Sequence, residues 1–334
     1  MTISNKFLIL YTLRFMQIFG LFKNSVNIHE SHADPKNKKS FKFEFKKTPM
    51  IKNWSRFLIF LIVLIGVYHI IETSVETFIA TQKKYGFSIA YFFFETYIIL
   101  LNIIIYFETY KKTGILRSIL KFQSSLPNMT TKNEYKTFLK SVSPLTVSIF
   151  ISVCSSFYDI LKNYSDTFTA YLDYIINYTL PFFKYNLIIA IFSLLALNMA
   201  NIYNIRVNNF ENILYKKHYS NKNVFDERNV AKILGNHLIV EKDEIYRILA
   251  NFSVKLYLLN INQNKFNDYF GTIISCLMSE SIFWLVFGPF KIEFSGTLDS
   301  IFKIFSYFTA PLAVLIICCT IPEFVLTKVS SMNF

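Results

Sequence analysis

The chain has 334 residues, a formal net charge of +13, and an apolar content of 53% that includes 37 Phe and 21 Tyr. Charged residues make up 17%, against about 25% in an ordinary soluble domain. The mean hydropathy is +0.35, and the apolar residues form blocks of about twenty rather than recurring at the short periods of a soluble core. The composition therefore excludes a water-soluble globular protein and indicates a membrane protein.

The first segment, residues 1–56, opens with an apolar stretch, KFLILYTLRFMQIFGLF, which Arg14 interrupts. No small-residue cleavage site follows it, which argues against a signal peptide. We predict an amphipathic helix at the membrane interface that ends at Gly20. Residues 30–54 are polar and rich in Lys, and we expect them to form a flexible cytoplasmic connector.

Six apolar stretches are each long enough to cross about 30 Å of hydrocarbon as a helix. The strict alternation of a membrane β-barrel strand is absent from them. We therefore predict an all-α integral membrane protein whose six-helix transmembrane bundle occupies residues 57–321, with polar residues such as Ser275 and Ser279 interrupting the fifth span. The predicted spans are 57–76, 87–107, 142–161, 180–203, 269–290 and 301–321.

The connection between the fourth and fifth predicted spans, residues 204–268, is too long for an unstructured loop. Apolar residues recur within it at steps of four and three, at Ile245, Leu249, Phe252, Leu256 and Leu259. This pattern predicts a helix that begins near Lys242, continues into the fifth span and extends roughly 40 Å beyond the membrane. Its apolar face is expected to pack either on the same segment of other subunits or on the chain's own fourth span.

Basic residues are concentrated in alternate connections. Segments 1–56, 108–141, 204–268 and 322–334 together carry 29 Lys and Arg, against four in the connections between them. Because basic segments stay in the cytoplasm, we predict a cytoplasmic N-terminus, a cytoplasmic anchor-like segment at 204–268 and a cytoplasmic tail at 322–334. Anionic lipid of the inner leaflet is the expected partner of this charge. A charge pattern that follows membrane topology argues against nucleic acid.

No enzyme or cofactor motif is found, since the chain lacks a Gly-rich phosphate loop, a nucleophile elbow and an H-E-x-x-H sequence. His29 and His32 form an H-x-x-H pair, but zinc needs three or four preorganised ligands. The cysteines all lie within predicted spans, at Cys154, Cys276, Cys318 and Cys319. We therefore predict no catalytic residues, no cofactor, no metal and no extracellular disulfide framework.

Ionisable residues within the predicted spans point to a binding site, because each costs at least about 2.5–3.5 kcal/mol at the bilayer centre. Glu72, Asp159 and Lys184 are expected in the outer third, where a side chain can reach water, whereas Glu95 and Glu280 lie deeper. We predict that Lys184 is the counter-charge of Glu280. Aromatic walls with a few polar groups are typical of sites for small molecules, although an interfacial aromatic belt is the alternative. The candidate ligand-binding residues are Tyr68, His69, Glu72, Glu95, Tyr158, Asp159, Lys184, Tyr185, Glu280, Trp284 and Tyr307.

Three stretches of the chain resemble insect chemoreceptors, gustatory receptors in particular. LRFMQIFGLF resembles the family's opening helix, which ends at a Gly-Leu pair, and ALNMANIYNIRVNNFENIL resembles its fourth helix. LYLLNINQNKFNDYFGTIISCLM is similar to the family's entry into the fifth span. The predicted cytoplasmic N-terminus agrees with this family and opposes a G-protein-coupled receptor, whose N-terminus is outside.

The resemblance implies a subunit of a ligand-gated cation channel at the plasma membrane, a homo- or hetero-tetramer with related receptor subunits. Such a subunit binds a tastant or odorant between the outer halves of its helices. In that family a seventh helix with a Thr-Tyr…Gln-Phe signature lines the pore. This chain ends at Phe334 without that signature, so we expect it, expressed alone, to reach membranes and bind ligand without conducting current.

Two alternatives stand beside the receptor. One is a six-helix solute transporter, and the other is a truncated, non-conducting receptor product. Transporters often consist of two matching halves with helices broken at Gly or Pro. The first three and last three predicted spans share no evident repeat, which favours the receptor.

Overall fold

The computed structural model describes residues 3–31, 40–81, 87–125, 147, 183–200, 202–203, 230–288, 308–309 and 311–323. Within these residues the chain forms seven helices and one two-stranded antiparallel sheet. The predicted third span, 142–161, lies outside the described residues except for residue 147.

The described chain is almost entirely helical, as the sequence predicts. Its helices are α1 (Ile3–Ile18), α2 (Pro49–Thr81), α3 (Phe87–Lys111), α4 (Thr113–Ser125), α5 (Phe183–Ala200), α6 (Val230–Phe287) and α7 (Pro311–Glu323). Among them α2, α3, α5 and α6 are long and apolar enough to cross a membrane, and α1 and α7 contain shorter apolar helices. These helices are those of a membrane-embedded protein.

A hairpin departs from the predicted all-α fold. Strands β1 (Ser25–Ser31) and β2 (Ser40–Lys46) pair antiparallel between α1 and α2. Apolar residues alternate along them, with Val26 and Ile28 in β1 and Phe43 and Phe45 in β2, which is the period of a strand. The expectation of a flexible connector at residues 30–54 is therefore wrong where the structure describes it, because β2 and the start of α2 occupy that part.

α1 stops at the glycine that the sequence indicates. The Gly20 N–H donates to the Gln17 carbonyl at 3.1 Å and the Leu21 N–H donates to the Met16 carbonyl at 2.8 Å, which is the Schellman arrangement. Gly20 has a φ of 73°, in the left-handed region that favours glycine. A Cβ on Gly20 would lie 3.0 Å from Leu58 Cδ1, so this turn packs closely on α2.

α2 and α3 form a closely packed antiparallel pair. A Cβ on Gly66 would lie 2.8 Å from Ile99 Cγ2, so the glycine permits the approach of the two helices. The opposite side of α2 carries an exposed apolar stripe, which we call the α2 stripe. It consists of Met50, Trp54, Phe57, Phe60, Leu64, Val67, Tyr68, Ile71 and Val75.

α6 has 58 residues and packs on both α3 and α4. The Lys112 ammonium, just after α3, donates to Thr272 Oγ1 at 3.3 Å, whereas the first half of α3 meets α6 near Trp284. About 60 Å of helix precede Thr272, because α6 begins at Val230 and not near Lys242 as predicted. We call the end of the bundle near Lys112 the basic end.

α5 is the most enclosed of the four long apolar helices. Phe183, at its start, stacks on Phe19 just after α1, with ring centroids 4.9 Å apart. Further along, Phe192 packs on Phe270 of α6, with centroids 5.3 Å apart. Of the apolar window of α5, 72% is buried inside the protein, against 22% for α2.

The second half of α5 packs on α4. Gln123 of α4 donates to the Leu195 carbonyl at 3.3 Å and accepts from Asn198 Nδ2 at 2.7 Å. α4 begins directly after the end of α3. Because the second half of α5 contacts α4, it extends past the end of α3 in the direction of the basic end. The core of the described bundle therefore lies around α5, toward the basic end.

Candidate functional site

A histidine and a glutamate face each other between α2 and α3. His69 Nε2 and Glu95 Oε2 are 3.9 Å apart, and the two side chains are 18% and 9% exposed. Both residues belong to the predicted ligand site, and the structure brings them together. We call this pair the His–Glu cluster.

Aromatic rings join α3 to α6 beside this cluster. Phe94, next to Glu95, meets Trp284 edge to face with centroids 5.3 Å apart at 87°. One turn along, Tyr97 stacks on Phe283 at 4.2 Å. Trp284 is among the predicted site residues, whereas Phe94 and Phe283 are not. Their signal in the sequence is the match of aromatic positions on neighbouring helices.

A lysine and a glutamate form a fully buried ion pair between α5 and α6. Lys184 Nζ lies 3.1 Å from Glu280 Oε2, and neither side chain is exposed. The same ammonium donates to Asn102 Oδ1 of α3. The predicted pairing of Glu280 with Lys184 is therefore confirmed, and we call these three residues the Lys–Glu cluster.

Lys184 was expected in the outer third of the membrane, with its side chain reaching water, but the structure buries it. Its side chain is 0% exposed, and its partner Asn102 lies in the second half of α3, closer to Lys112 than to Phe87. The expectation is wrong because α5 is displaced along the bundle toward the basic end. The first turn of α5 therefore packs against α3 and α6 and does not face water.

Two tyrosines surround the Lys–Glu cluster. Lys184 Nζ lies 4.7 Å from the centroid of the Tyr185 ring, and Tyr106 lies one turn of α3 from Asn102, on the same face of that helix. Within the described residues, Glu280 Oε1 and the Tyr106 hydroxyl have no hydrogen-bond partner. Burying such groups unpaired is costly, so the ion pair does not satisfy every polar atom of this buried cluster.

Sequence reasoning missed Asn102, which belongs to this cluster, and Tyr106, which lies one turn of α3 from it. Asn102 carries a recognisable signal, because it is the one polar residue in the run IILLNIIIYF. A polar side chain inside an apolar helix needs a partner, and here the partner is Lys184. Tyr106 carries no comparable signal in a chain with 21 tyrosines.

Other predicted site residues do not join either cluster. Tyr68 is 61% exposed and belongs to the α2 stripe, and Glu72 is also exposed. Tyr158, Asp159 and Tyr307 lie outside the described residues. The structure thus shows two clusters in place of the single predicted pocket. Their residues on α3, Glu95 and Asn102, are about 10 Å apart along the helix.

The described side chains offer hydrogen bonds, charge and aromatic faces for binding. In the part of the chain that the structure describes, no group of three or more His, Cys, Asp or Glu side chains could hold a metal ion. The described cysteines, Cys276, Cys318 and Cys319, are free thiols.

Comparison with known proteins adds no family to this description. No protein-family model matches the sequence, and no curated protein matches it. The resemblance to insect chemoreceptors stays a prediction from short stretches of the sequence.

Proposed function

We propose that the chain is a chemosensory receptor subunit of the plasma membrane that binds a small molecule from outside the cell. The observation that carries the proposal is the His–Glu cluster, which sets two hydrogen-bonding groups on neighbouring helices beside aromatic rings. With six spans and a cytoplasmic N-terminus, the basic end is cytoplasmic. The His–Glu cluster then lies in the outer half of the bundle, where an external ligand arrives.

The chemistry of the cluster defines the ligand class. The imidazole of His69 can donate or accept a hydrogen bond, and the carboxylate of Glu95 accepts from hydroxyl or ammonium groups. The nearby Trp284 and Tyr97 rings suit an apolar body or a cation. We propose an amine or a hydroxylated organic molecule, which includes many tastants and odorants.

Ligand binding can be tested on the purified chain in nanodiscs. A panel of sugars, amines, bitter compounds and odorants is screened for a rise in the Tm, because a ligand of the folded state stabilises it. We expect at least one active compound, whose effect Glu95→Gln removes. Glu72→Gln is the matched control, since it makes the same change on an exposed face, and equal losses in both variants would contradict the site.

The orientation has a separate test. A tag inserted between the hairpin strands, within residues 32–39, should bind antibody only after cells are permeabilised. Staining of intact cells would place the basic end outside and would remove the His–Glu cluster from the side of an external ligand.

We propose that α6 also assembles the subunits into a tetramer with itself or with related receptors. Within the predicted stripe Leu259 is buried and Leu249 is exposed, and the neighbouring face of α6 exposes Tyr246, Val254, Tyr257 and Leu258. About twenty residues of helix suffice to cross a bilayer, so this face of the longer α6 lies beyond it.

The assembly can be measured by native mass spectrometry. Tyr257→Glu should lower the oligomeric state, because it places a charge in an apolar contact. Asn260→Glu adds the same charge at an exposed polar position and should leave the oligomer intact. A tetramer unaffected by Tyr257→Glu would exclude this face.

A solute transporter is the second candidate function, and the Lys–Glu cluster favours it. Buried ionisable residues within apolar helices often mark substrate or proton pathways. In the test, the compounds that raise the Tm are radiolabelled, and their uptake into proteoliposomes that contain the protein is measured. Saturable uptake that Glu280→Gln removes would favour the transporter, whereas binding without uptake favours the receptor.

A further inference from the structure

Two cations at the basic end share one tyrosine. Lys23 Nζ lies 4.1 Å from the centroid of the Tyr110 ring, and Arg56 Nε donates to the hydroxyl of the same tyrosine at 3.0 Å. Among the described residues, neither cation forms an ion pair with a carboxylate. Because like charges repel, an anion placed between them would be stabilised.

The sequence around these cations is poor in carboxylates. Residues 1–29 and 45–71 contain neither Asp nor Glu. Two other acids near these cations in the sequence are paired elsewhere, Glu44 with His29 and Lys46, and Glu108 with Lys112. This corner of the molecule is therefore complementary to an external negative charge.

An exposed apolar surface adjoins the two cations. The Trp54 indole, two residues before Arg56 in α2, donates to the Ile18 carbonyl of α1 at 2.8 Å. This bond joins the α2 stripe to an exposed apolar face of α1. That face consists of Phe7, Tyr11, Phe15 and Ile18.

The combination selects a lipid over a soluble anion. A soluble phosphate would use only the two cations, whereas the continuous apolar surface from α1 along the α2 stripe suits acyl chains. Tryptophan is enriched where the headgroup and hydrocarbon regions meet, and Trp54 is 45% exposed at the junction.

We propose that Lys23, Arg56 and Tyr110 bind the phosphate of an anionic phospholipid whose acyl chains lie along Trp54 and Phe57. The ammonium and the guanidinium donate charge-assisted hydrogen bonds to the phosphate oxygens. Tyr110 holds the two donors in place through its ring face and its hydroxyl. The site depends on neither the receptor nor the transporter function, and it should bind in symmetric membranes of either orientation.

Trp54 supplies the reporter for the test. The chain has two tryptophans, so Trp284→Phe leaves Trp54 alone. The full chain with this change is placed in phosphatidylcholine nanodiscs that contain brominated phosphatidylserine or, at the same mole fraction, brominated phosphatidylcholine. We expect the brominated anionic lipid to quench Trp54 at a lower mole fraction than the neutral one.

Removal of the cations should abolish this difference. Each basic residue near a membrane surface contributes to the attraction of anionic lipid. In the double variant, Lys23→Gln with Arg56→Gln, half of the quenching should therefore require at least about five times the mole fraction of brominated phosphatidylserine. The control, Arg247→Gln with Lys255→Gln, removes the same charge from α6 and should leave the quenching unchanged. Lys23→Arg with Arg56→Lys keeps both charges and should retain the preference.

Three results would overturn the site. The first is equal quenching by the two brominated lipids, and the second is the same loss of quenching in the α6 control. The third is displacement of the lipid by an equal concentration of inorganic phosphate, which would show that the site binds a soluble anion. Circular dichroism checks that each variant keeps its helix content. If the double variant fails to fold, Lys23→Gln alone gives the same comparison, and an unchanged quenching curve would again contradict the site.

Discussion

α2 and α5 are both apolar enough to cross a membrane, yet their surroundings are opposite. The α2 window is 22% buried inside the protein and the α5 window is 72% buried. α2 exposes a long apolar stripe, whereas α5 is covered by α4, α6 and the end of α1. Apolar composition therefore shows that a helix avoids water, and it does not show whether lipid or protein surrounds it.

The difference also decides which helix can carry a charge. Lipid tails are as apolar as leucine, so the α2 stripe needs no protein cover, but it offers no partner to an ionised side chain. α5 has protein partners, and Lys184 finds both Glu280 and Asn102 there. The comparison predicts that α5 is sensitive to substitution and that the outward face of α2 is tolerant.

Separating the buried ion pair should have the largest effect. Lys184→Met leaves Glu280 buried without its counter-charge, and we expect a loss of about 3–5 kcal/mol in the free energy of unfolding. The double variant, Lys184→Met with Glu280→Met, should recover most of that loss. Unfolding in mixed detergent measures both, and strictly additive single losses would count against the pairing.

Matched leucine truncations compare the two helices directly. Leu195 of α5 is 0% exposed and Leu64 of α2 is 54% exposed. Leu195→Ala should cost about 2–5 kcal/mol because it leaves a cavity, whereas Leu64→Ala should cost well under half as much. Equal losses in the same unfolding assay would show that protein covers both helices alike.

A methyl group at the α2–α3 contact tests the side of α2 that does meet protein. A Cβ on Gly66 would lie 2.8 Å from Ile99 Cγ2, whereas a Cβ on Gly114 would have no heavy atom within 4 Å. We expect Gly66→Ala to cost about 1–3 kcal/mol by overpacking. Gly114→Ala should be neutral or slightly stabilising, since alanine favours helix. A neutral Gly66→Ala would mean that the helices separate without cost.

The smallest expected effect concerns the polar contact between α4 and α5. Gln123→Ala removes the bonds to the Leu195 carbonyl and to Asn198 at a buried position, and should cost about 1–2 kcal/mol. Gln263, whose amide oxygen accepts from the Tyr203 hydroxyl at 3.2 Å, lies at an exposed position. Gln263→Ala should cost less than Gln123→Ala, and the reverse order would indicate that water reaches α5.

The sequence was sufficient where one physical requirement dominates. The length and hydropathy of its apolar blocks indicated the long helices that the structure describes, and Gly20 indicated the end of α1. The insertion cost of a charge, together with the serines near Glu280, indicated that Glu280 has an internal partner, for which Lys184 was predicted. Each of these inferences rests on a property of a single residue or a single segment.

Other features required knowledge of neighbours that the sequence does not supply. Lysines surround the alternating Phe43 and Phe45, so the hairpin was taken for a polar connector. The enclosure of α5, and with it the depth of Lys184, depends on how far α5 is displaced along α3. Separation of the predicted pocket into two clusters follows from the same displacement.

The uninterrupted α6 has a mechanical consequence. Trp284 lies about 6 Å along the helix from Glu280 on one side, and Tyr246 lies about 51 Å from it on the other. If α6 is rigid and pivots at the Lys–Glu cluster, Tyr246 lies about eight times as far from the pivot as Trp284 does. A tilt of this rigid helix that displaces Trp284 by 1 Å would move Tyr246 by roughly 8 Å, so a small displacement beside the aromatic rings corresponds to a large one on the opposite side of the Lys–Glu cluster.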